Sequence, residues 1–421
     1  MAAPKPGRVI GAVNLGSFRV SALVAQVGEG GEVTVLGAHH RKADGFRRGY
    51  VVDMNAASAA VRHVIDRAEQ IAERSVREVW VGCSGAGLRS EIVPAECEIG
   101  GRRVEGEDVE TLLLLARERI GRDRGQLLHA QPALYTMDDA QGVLDPVGMH
   151  AEQLGVHVHA VLADPAPIRN MREVVQNAHY DVAGIVASPI AAAQACLTEE
   201  ELDLGCALVE FGGEVTTIAL FSRGKPVGLQ TITWGSADMT EAIASSFGIR
   251  RGQAERLKCV HGSALASLAD HKEMLPIVGL EAEGDAGEEA GTIARADLVA
   301  VVGQELARFT ADVGAALKRM GGNAGAGRQI VLTGGGSELA GIADYMQGAL
   351  GRPVRLGKPG FVRGMAEAHS GPGFATLAGL ALHAANPPMD LRALRGGGES
   401  SGGSGPLGMA KRIWRIMKDG F

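Results

Sequence analysis

The sequence predicts a mixed α/β protein of two lobes in which one domain design occurs twice. Apolar stretches with strand-like alternation are interspersed with stretches that have the spacing of amphipathic helices. A plan of strand, polar residue, glycine turn and second strand occurs at 13–17 and again at 209–217, about half the chain apart. Between the copies, residues 88–161 combine a charged helix with several short strands and so differ from the stretches on either side.

Composition fits a globular protein with more than one core. The chain has 421 residues, of which 46% are apolar and 22% charged, as in ordinary soluble proteins. A net charge of −7 argues against nucleic acid as a partner. Five cysteines without a Cys-x-x-Cys pair favour reduced thiols. Residues 1–7 lack the apolar core of a signal peptide, so we expect a cytoplasmic chain that reaches a membrane only from that side.

The first half of the chain predicts a strand-rich lobe that contains the distinct segment 88–161. In order, the predicted elements are a strand pair over 8–27, a strand at 32–38, a helix at 56–75, a strand at 78–83, a charged helix at 107–120, a helix at 167–179, a strand at 183–188 and an Ala-rich helix at 189–198. Within 88–161, His157 and His159 alternate with valines. That alternation predicts a strand with one solvated face rather than a metal site.

The second half repeats the plan and then loses its regular pattern. Its predicted elements are a strand at 207–211, a hairpin partner at 216–222, mostly helical segments over 236–268, a helix at 297–320, a strand at 330–332, a helix at 339–350, a strand at 353–356 and an apolar helix at 374–385. The periodicity stops after Asn386. Residues 395–405 are rich in Gly and Ser and predict a flexible linker.

The sixteen residues after the linker, 406–421, predict an amphipathic helix. A helix of this length cannot cross a bilayer, which needs about 20 apolar residues, but its basic face and indole suit an anionic membrane surface. Docking on the protein's own body, or on a partner, is the alternative. The predicted membrane-binding residues are Leu407, Lys411, Arg412, Ile413, Trp414, Arg415, Ile416, Met417, Lys418 and Phe421.

Three glycine-rich turns predict a nucleotide site. Turns between strands can present backbone N–H groups and hydroxyls to phosphates, and an acidic residue at a strand end can hold a metal through water. The turn at 334–337 precedes a helix, and its glycines allow close approach of a flat ligand such as adenosine. The predicted contacts are Asn14, Gly16, Ser17, Phe18, Glu210 (also beside the metal), Gly212, Gly213, Glu214, Val215, Thr216, Gly334, Gly335, Gly336 and Ser337.

In this order the turns resemble those of the actin, Hsp70 and sugar-kinase superfamily, and nearly the whole chain resembles its bacterial cell-division family FtsA. Four features carry the closer resemblance: Ala187-Ser188-Pro189, the segment 374–379, the tail, and the segment 88–161, which falls where this family carries an inserted subdomain, here called the insertion. It implies an actin-like two-lobed fold of duplicated ribonuclease-H-like domains, with an FtsA-type inserted subdomain and a C-terminal amphipathic helix. The implied divisions are 1–87, 163–204 and the return helix 365–387 (subdomain 1A), 88–162 (inserted subdomain 1C), 205–235 and 329–364 (2A), 236–328 (2B), 388–405 (flexible linker) and 406–421 (membrane-targeting helix).

The resemblance also implies ATP and Mg²⁺ as ligands. It puts Glu255 and Lys258 beside the ribose and adenine, although their spacing alone also fits a solvated helix pair. Glu214 stands where relatives commonly have glycine, and a carboxylate about 5 Å from a phosphate would cost ~3 kcal/mol at an effective dielectric near 20. Ser188 occupies the place of a water-positioning Glu in some relatives. We therefore expect ATP binding with slow or absent hydrolysis.

The function implied is that of a filament-forming division protein. Such a protein would polymerise by self-association at the division site, as a peripheral protein on the cytoplasmic face of the inner membrane. It would anchor the FtsZ ring, with FtsZ docking near 236–330, and would recruit later membrane division proteins through the insertion. A pilus-assembly actin-like adaptor, which generally lacks the terminal helix, and a sugar or acid kinase, which leaves the helix unexplained, are the alternatives.

Overall fold

The computed structural model describes residues 7–85, 87–120, 125–279, 290–321 and 327–393. Its strands are β1 (Arg8–Leu15), β2 (Arg19–Val27), β3 (Val33–Lys42), β4 (Phe46–Arg47), β5 (Tyr50–Val51), β6 (Glu78–Cys83), β7 (Arg89–Glu98), β8 (Gln126–Met137), β9 (Ala140–Val143), β10 (Gln153–Ala163), β11 (Asp181–Ala187), β12 (Cys206–Phe211), β13 (Thr216–Ser222), β14 (Lys225–Ile232), β15 (Met274–Val278), β16 (Ala290–Ala294), β17 (Gln329–Thr333) and β18 (Val354–Leu356). The predicted membrane-binding residues, 406–421, lie outside the described ranges.

The helices follow the apolar periodicity of the sequence. They are α1 (Met54–Ala72), α2 (Gly106–Arg119), α3 (Pro165–Asn177), α4 (Ser188–Cys196), α5 (Glu199–Leu204), α6 (Ser236–Phe247), α7 (Arg251–His261), α8 (Arg295–Arg319), α9 (Ile342–Leu350) and α10 (Ala375–Ala385). Helix α1 begins where the Asp53 carboxylate accepts a hydrogen bond from the Ala56 N–H at 3.0 Å, which satisfies a free donor of the first turn. None of the described helices is long and apolar enough to cross a membrane.

Two sheets with the same strand order form the two lobes. The first lobe has the order β11-β6-β1-β2-β3, and the second has β18-β17-β12-β13-β14. In both sheets the central strand pairs with an antiparallel hairpin on one side and with parallel strands on the other. Because the pairing directions also correspond, the two lobes are copies of one design, as the sequence analysis predicted.

The insertion extends the sheet of the second lobe rather than that of the first. Strand β14 pairs with β7 through Gln230 and Arg89, and the order continues as β7-β10-β8-β9. Helix α2 packs on this part of the sheet and contributes Leu112 and Leu113 to a separate buried cluster. The insertion therefore has its own core while it shares a continuous sheet with the lobe that follows it in the chain.

Helices α4 and α10 cross where the two lobes meet. A Cβ at Gly379 of α10 would lie 1.8 Å from the carbonyl oxygen of Ala191 in α4. The helices approach so closely that no side chain fits at this position. Because α4 and α10 connect the two lobes, their close contact fixes how the lobes sit on either side of the cleft.

Two details differ from the sequence analysis. His159 is buried rather than solvated. It lies on the face of β10 opposite Val158 and Ala160, which belong to the insertion's core, so both faces of this strand are covered. Burial lowers the pKa of His159 to about 4, so the ring is neutral at physiological pH. Residues 389–393, assigned above to the linker, pack on the insertion, and Leu391 is fully buried in its core.

Candidate functional site

A cleft of about 430 Å³ lies between the lobes and brings the three predicted turns together. Fourteen of the predicted residues line it: Asn14, Gly16, Ser17, Phe18, Glu210, Gly212, Gly213, Glu214, Val215, Glu255, Lys258, Gly334, Gly335 and Gly336. Thr216 and Ser337 instead shape the turns. Their hydroxyls donate to the carbonyls of Trp234 at 2.9 Å and Gly334 at 2.7 Å.

The first two turns meet across the cleft. A Cβ at Gly213 would lie 2.7 Å from the Cβ of Phe18, so this contact between the lobes requires glycine. Gly212 and Gly213 also accept hydrogen bonds from the N–H groups of Ser236 (3.0 Å) and Ala237 (2.7 Å), which begin α6. The second turn is therefore hydrogen-bonded to α6 on one side and contacts the first turn on the other.

The third turn approaches an aromatic stack. Gly334 has a φ of 87°, in the left-handed region that glycine tolerates. A Cβ at Gly336 would lie 2.6 Å from the ring of Phe211. Phe211 in turn stacks on Phe309, with ring centroids 4.4 Å apart. Local geometry therefore requires glycine at both positions, and without side chains there the backbone of this turn itself lines the cleft.

Glu210 is the last residue but one of β12 and is 8% exposed. Its carboxylate accepts hydrogen bonds from Ser188 of α4 at 2.5 Å, from Thr217 of β13 at 2.8 Å and from Thr376 of α10. The three donors come from three elements, two of which are the helices that cross between the lobes. Glu210 therefore links the connecting helices to the central strand of the second lobe.

Glu255 and Lys258 form an ion pair on the side of α7 that lines the cleft, and Lys258 is the more buried partner. Lys258 is 7% exposed, and its ammonium donates to Glu255 at 2.8 Å, to Thr240 at 2.7 Å and to the Ser236 carbonyl at 2.8 Å. Burial alone would raise the pKa of Glu255, but the charge and hydrogen bonds of Lys258 outweigh it and lower that pKa. Because Lys258 is buried, the pair is not a solvated pair on a helix surface.

Glu214 does not stand free beside the cleft. Its carboxylate accepts a hydrogen bond from the backbone N–H of Arg48 in the first lobe at 2.6 Å, and its other oxygen lies 3.9 Å from the Arg251 guanidinium. These contacts offset part of the negative charge that the sequence analysis identified as unfavourable to a phosphate.

Arg19 is a cleft residue that the sequence analysis did not identify. Its guanidinium lies 4.1 Å from the ring centroid of Phe374 and donates to the Gly373 carbonyl at 3.3 Å. Burial lowers the pKa of Arg19 from its usual value, although the nearby Glu338 opposes the shift. The one signal in the sequence was a cation immediately after a glycine turn and before an apolar strand.

The residues of the cleft fit a nucleotide better than they fit a directly bound metal. The volume is within the range of small-molecule pockets, and glycines of all three turns line the cleft. Lys258 and Arg19 supply positive charge, and the Asn14 Oδ1 is buried without a hydrogen-bond partner. Glu210 already accepts three hydroxyl donors. Within the described ranges, no group of three or more His, Cys, Asp or Glu side chains is arranged to hold a metal ion.

Comparison with protein families gives two separate matches. The profile of "Cell division protein FtsA" matches residues 207–379, and that of "SHS2 domain inserted in FTSA" matches residues 85–162. The cell division protein FtsA of Agrobacterium fabrum is 30% identical over 427 residues, which cover 99% of this chain and 96% of that relative.

Comparison with solved structures finds the same architecture at low identity. The PilM–PilN type IV pilus biogenesis complex has a chain with a TM-score of 0.62 and 19% identity, covering 90% of this chain and 99% of that chain. MreB5 of Spiroplasma citri bound to ADP has a TM-score of 0.53 and 13% identity, covering 89% and 96%. At these identities the likeness concerns the fold alone.

Proposed function

The chain belongs to the FtsA family of cell-division proteins and has an actin-like fold, and from this we propose that it binds ATP between its lobes. The contact of two glycine turns, one from each lobe, carries the proposal. The phosphates would lie against the backbone of 16–18 and 212–215. The adenosine would lie between the turn at 334–336 and the Glu255–Lys258 pair. The ADP bound to the similar MreB5 supports this assignment.

A Mg²⁺ ion bound with ATP would neutralise phosphate charge. We assign it to phosphate oxygens and water beside Glu210 rather than to the Glu210 carboxylate itself. That carboxylate would have to give up hydroxyl partners from α4, β13 or α10 to become a direct ligand. Asn14 also lines the cleft, and its buried Oδ1 has no hydrogen-bond partner, so it would be free to accept from a water of the bound ion.

The first prediction is ATP binding with turnover below about one per minute. Ser188 is fully buried and its hydroxyl donates a hydrogen bond to Glu210, so it cannot serve as a base for an attacking water. Isothermal titration with ATP and Mg²⁺ should give a single binding event, and a coupled assay should give little phosphate. The absence of binding heat at millimolar ATP would contradict the nucleotide site. Rapid turnover would contradict the role assigned to Ser188.

We further propose that the protein assembles into filaments on the cytoplasmic face of the inner membrane at the division site. The helix predicted at 406–421 would hold it there. Each of its four basic residues contributes about 1 kcal/mol at an anionic leaflet, and apolar burial adds to this. A helix this short is marginal alone, so many copies in a filament would raise avidity steeply. Membrane attachment and assembly would therefore support each other.

The partners we propose are FtsZ and later membrane division proteins. FtsZ would dock near 236–330, and the insertion would contact the later proteins. Membership of the FtsA family supports these partners over the pilus-adaptor and kinase alternatives. Co-sedimentation with FtsZ polymers tests the first, and its absence would count against the assignment. We retain the subdomain divisions given above as a proposal, with 389–393 moved to the insertion, and limited proteolysis would test them.

A further inference from the structure

The hairpin of β4 and β5 reaches from the first lobe to the second at the edge of the cleft. Its tip, Arg48, has a φ of 48°, an uncommon conformation for a residue with a side chain. Next to it, the N–H of Gly49 donates to the Ser17 hydroxyl at 2.9 Å. A Cβ at Gly49 would lie 2.2 Å from the Ser84 carbonyl. The tip is therefore packed firmly on the first lobe and touches its glycine turn.

Arg48 makes three hydrogen bonds to the second lobe. Its backbone N–H donates to Glu214 at 2.6 Å, and its guanidinium donates to the Thr233 carbonyl at 2.5 Å and to Asp238 at 2.7 Å. Asp238 lies in the first turn of α6, whose backbone carries the second glycine turn. Arg48 thus joins the first lobe both to the second glycine turn and to α6, the helix that holds that turn.

These contacts are suited to reversible opening. The Arg48 side chain is 42% exposed, and partly exposed ion pairs contribute little each because water competes for them. On the first lobe the hairpin packs by close backbone contact at Gly49. On the second lobe it is held by the polar contacts of Arg48, of which the bond to Thr233 is exposed and those to Glu214 and Asp238 are partly buried. Opening would separate the lobes at Arg48 while the hairpin stays on the first lobe.

We propose that residues 46–51 form a clasp that must open for a phosphate-bearing ligand to enter or leave the cleft, with Arg48 as the residue that sets the opening rate. The exchange role rests on the proposed nucleotide function, whereas the clasp itself is a property of the free protein. Loss of the guanidinium contacts should speed both entry and exit, so the dissociation rate should change more than the affinity does.

Arg48→Ala tests the clasp, with Arg47→Ala as the matched control because Arg47 is the exposed arginine beside it. Hydrogen exchange without ligand should be faster across 46–51 and 212–216 in Arg48→Ala and unchanged in Arg47→Ala. Dissociation of a fluorescent ATP analogue, chased with ATP, should be about fivefold faster in Arg48→Ala. Arg48→Lys keeps the charge but loses the fork geometry, so it should be intermediate.

Two results would overturn the clasp. One is exchange across 46–51 that is the same in Arg48→Ala and wild type. The other is analogue dissociation that Arg48→Ala and Arg47→Ala change equally. If the analogue does not bind at all, the proposed nucleotide function fails, and the exchange comparison in the free protein still decides whether the clasp exists.

Discussion

Replacing Gly379 by alanine should lower the free energy of unfolding by about 3 kcal/mol, at the upper end for overpacking. The added methyl group would lie 1.8 Å from the Ala191 carbonyl oxygen and 2.3 Å from its carbon. Both atoms are backbone, so no side chain can rotate away, and the contact forces α10 and α4 apart. Because these helices connect the lobes, the cleft should also widen, and ATP binding should weaken. Urea denaturation monitored by circular dichroism would measure the loss.

Gly303→Ala is the matched control for this substitution. Gly303 lies in α8, and a Cβ there would meet no atom within 4 Å. Alanine has the higher helix propensity, so this variant should be as stable as wild type or more stable by about 0.5–1 kcal/mol. Equal stability of Gly379→Ala and Gly303→Ala would show that the helices can separate without cost, contrary to the packing described here.

Glu210→Ala should have an effect of similar size for a different reason. Three buried hydroxyls, those of Ser188, Thr217 and Thr376, would lose their common acceptor. Leaving a buried donor without a partner costs about 1–3 kcal/mol, and local rearrangement should limit the total to about 3 kcal/mol. The expected result is a lower urea midpoint together with faster hydrogen exchange at the start of α4 and of α10.

Two further variants make the Glu210 result specific. Glu29→Ala removes an exposed carboxylate in the β2–β3 turn and should leave stability unchanged within about 0.5 kcal/mol. Glu210→Gln keeps one carbonyl oxygen as an acceptor, so it should lose less stability than Glu210→Ala. If Glu210→Ala instead unfolds at the wild-type urea concentration, the carboxylate does not link the connecting helices, and direct metal binding becomes the better explanation of Glu210.

The sequence allowed the fold and the glycine turns to be predicted because those features are local. Strand alternation, helix spacing and glycine at fixed offsets lie within short windows, and the two copies reinforce each other. The third turn is an example, since Gly334 and Gly336 are adjacent in the chain to the strand and turn they serve. Twelve of the fourteen predicted residues that line the cleft come from these turns, whereas Glu255 and Lys258 were predicted from the resemblance.

What could not be predicted depends on partners far apart in the chain. Arg48 meets Glu214 and Asp238, which lie 166 and 190 residues away, and no local pattern indicates that pairing. The same holds for Thr376 and Glu210, 166 residues apart. His159 looked solvated because alternation indicates which residues share a face of a strand, but not whether another layer covers that face.

The most direct test of the account is electron microscopy of the protein on an anionic lipid monolayer, with and without ATP and Mg²⁺. Wild type with ATP should form filaments that cover the lipid. Ser401→Glu, which adds the same charge within the Gly/Ser-rich linker, should do the same. Trp414→Glu should leave the lipid almost bare, because a charge replaces the indole of the predicted helix. Equal coverage by Trp414→Glu, or scattered single particles for wild type with ATP, would contradict a nucleotide-binding filament held at the membrane by its C-terminal helix.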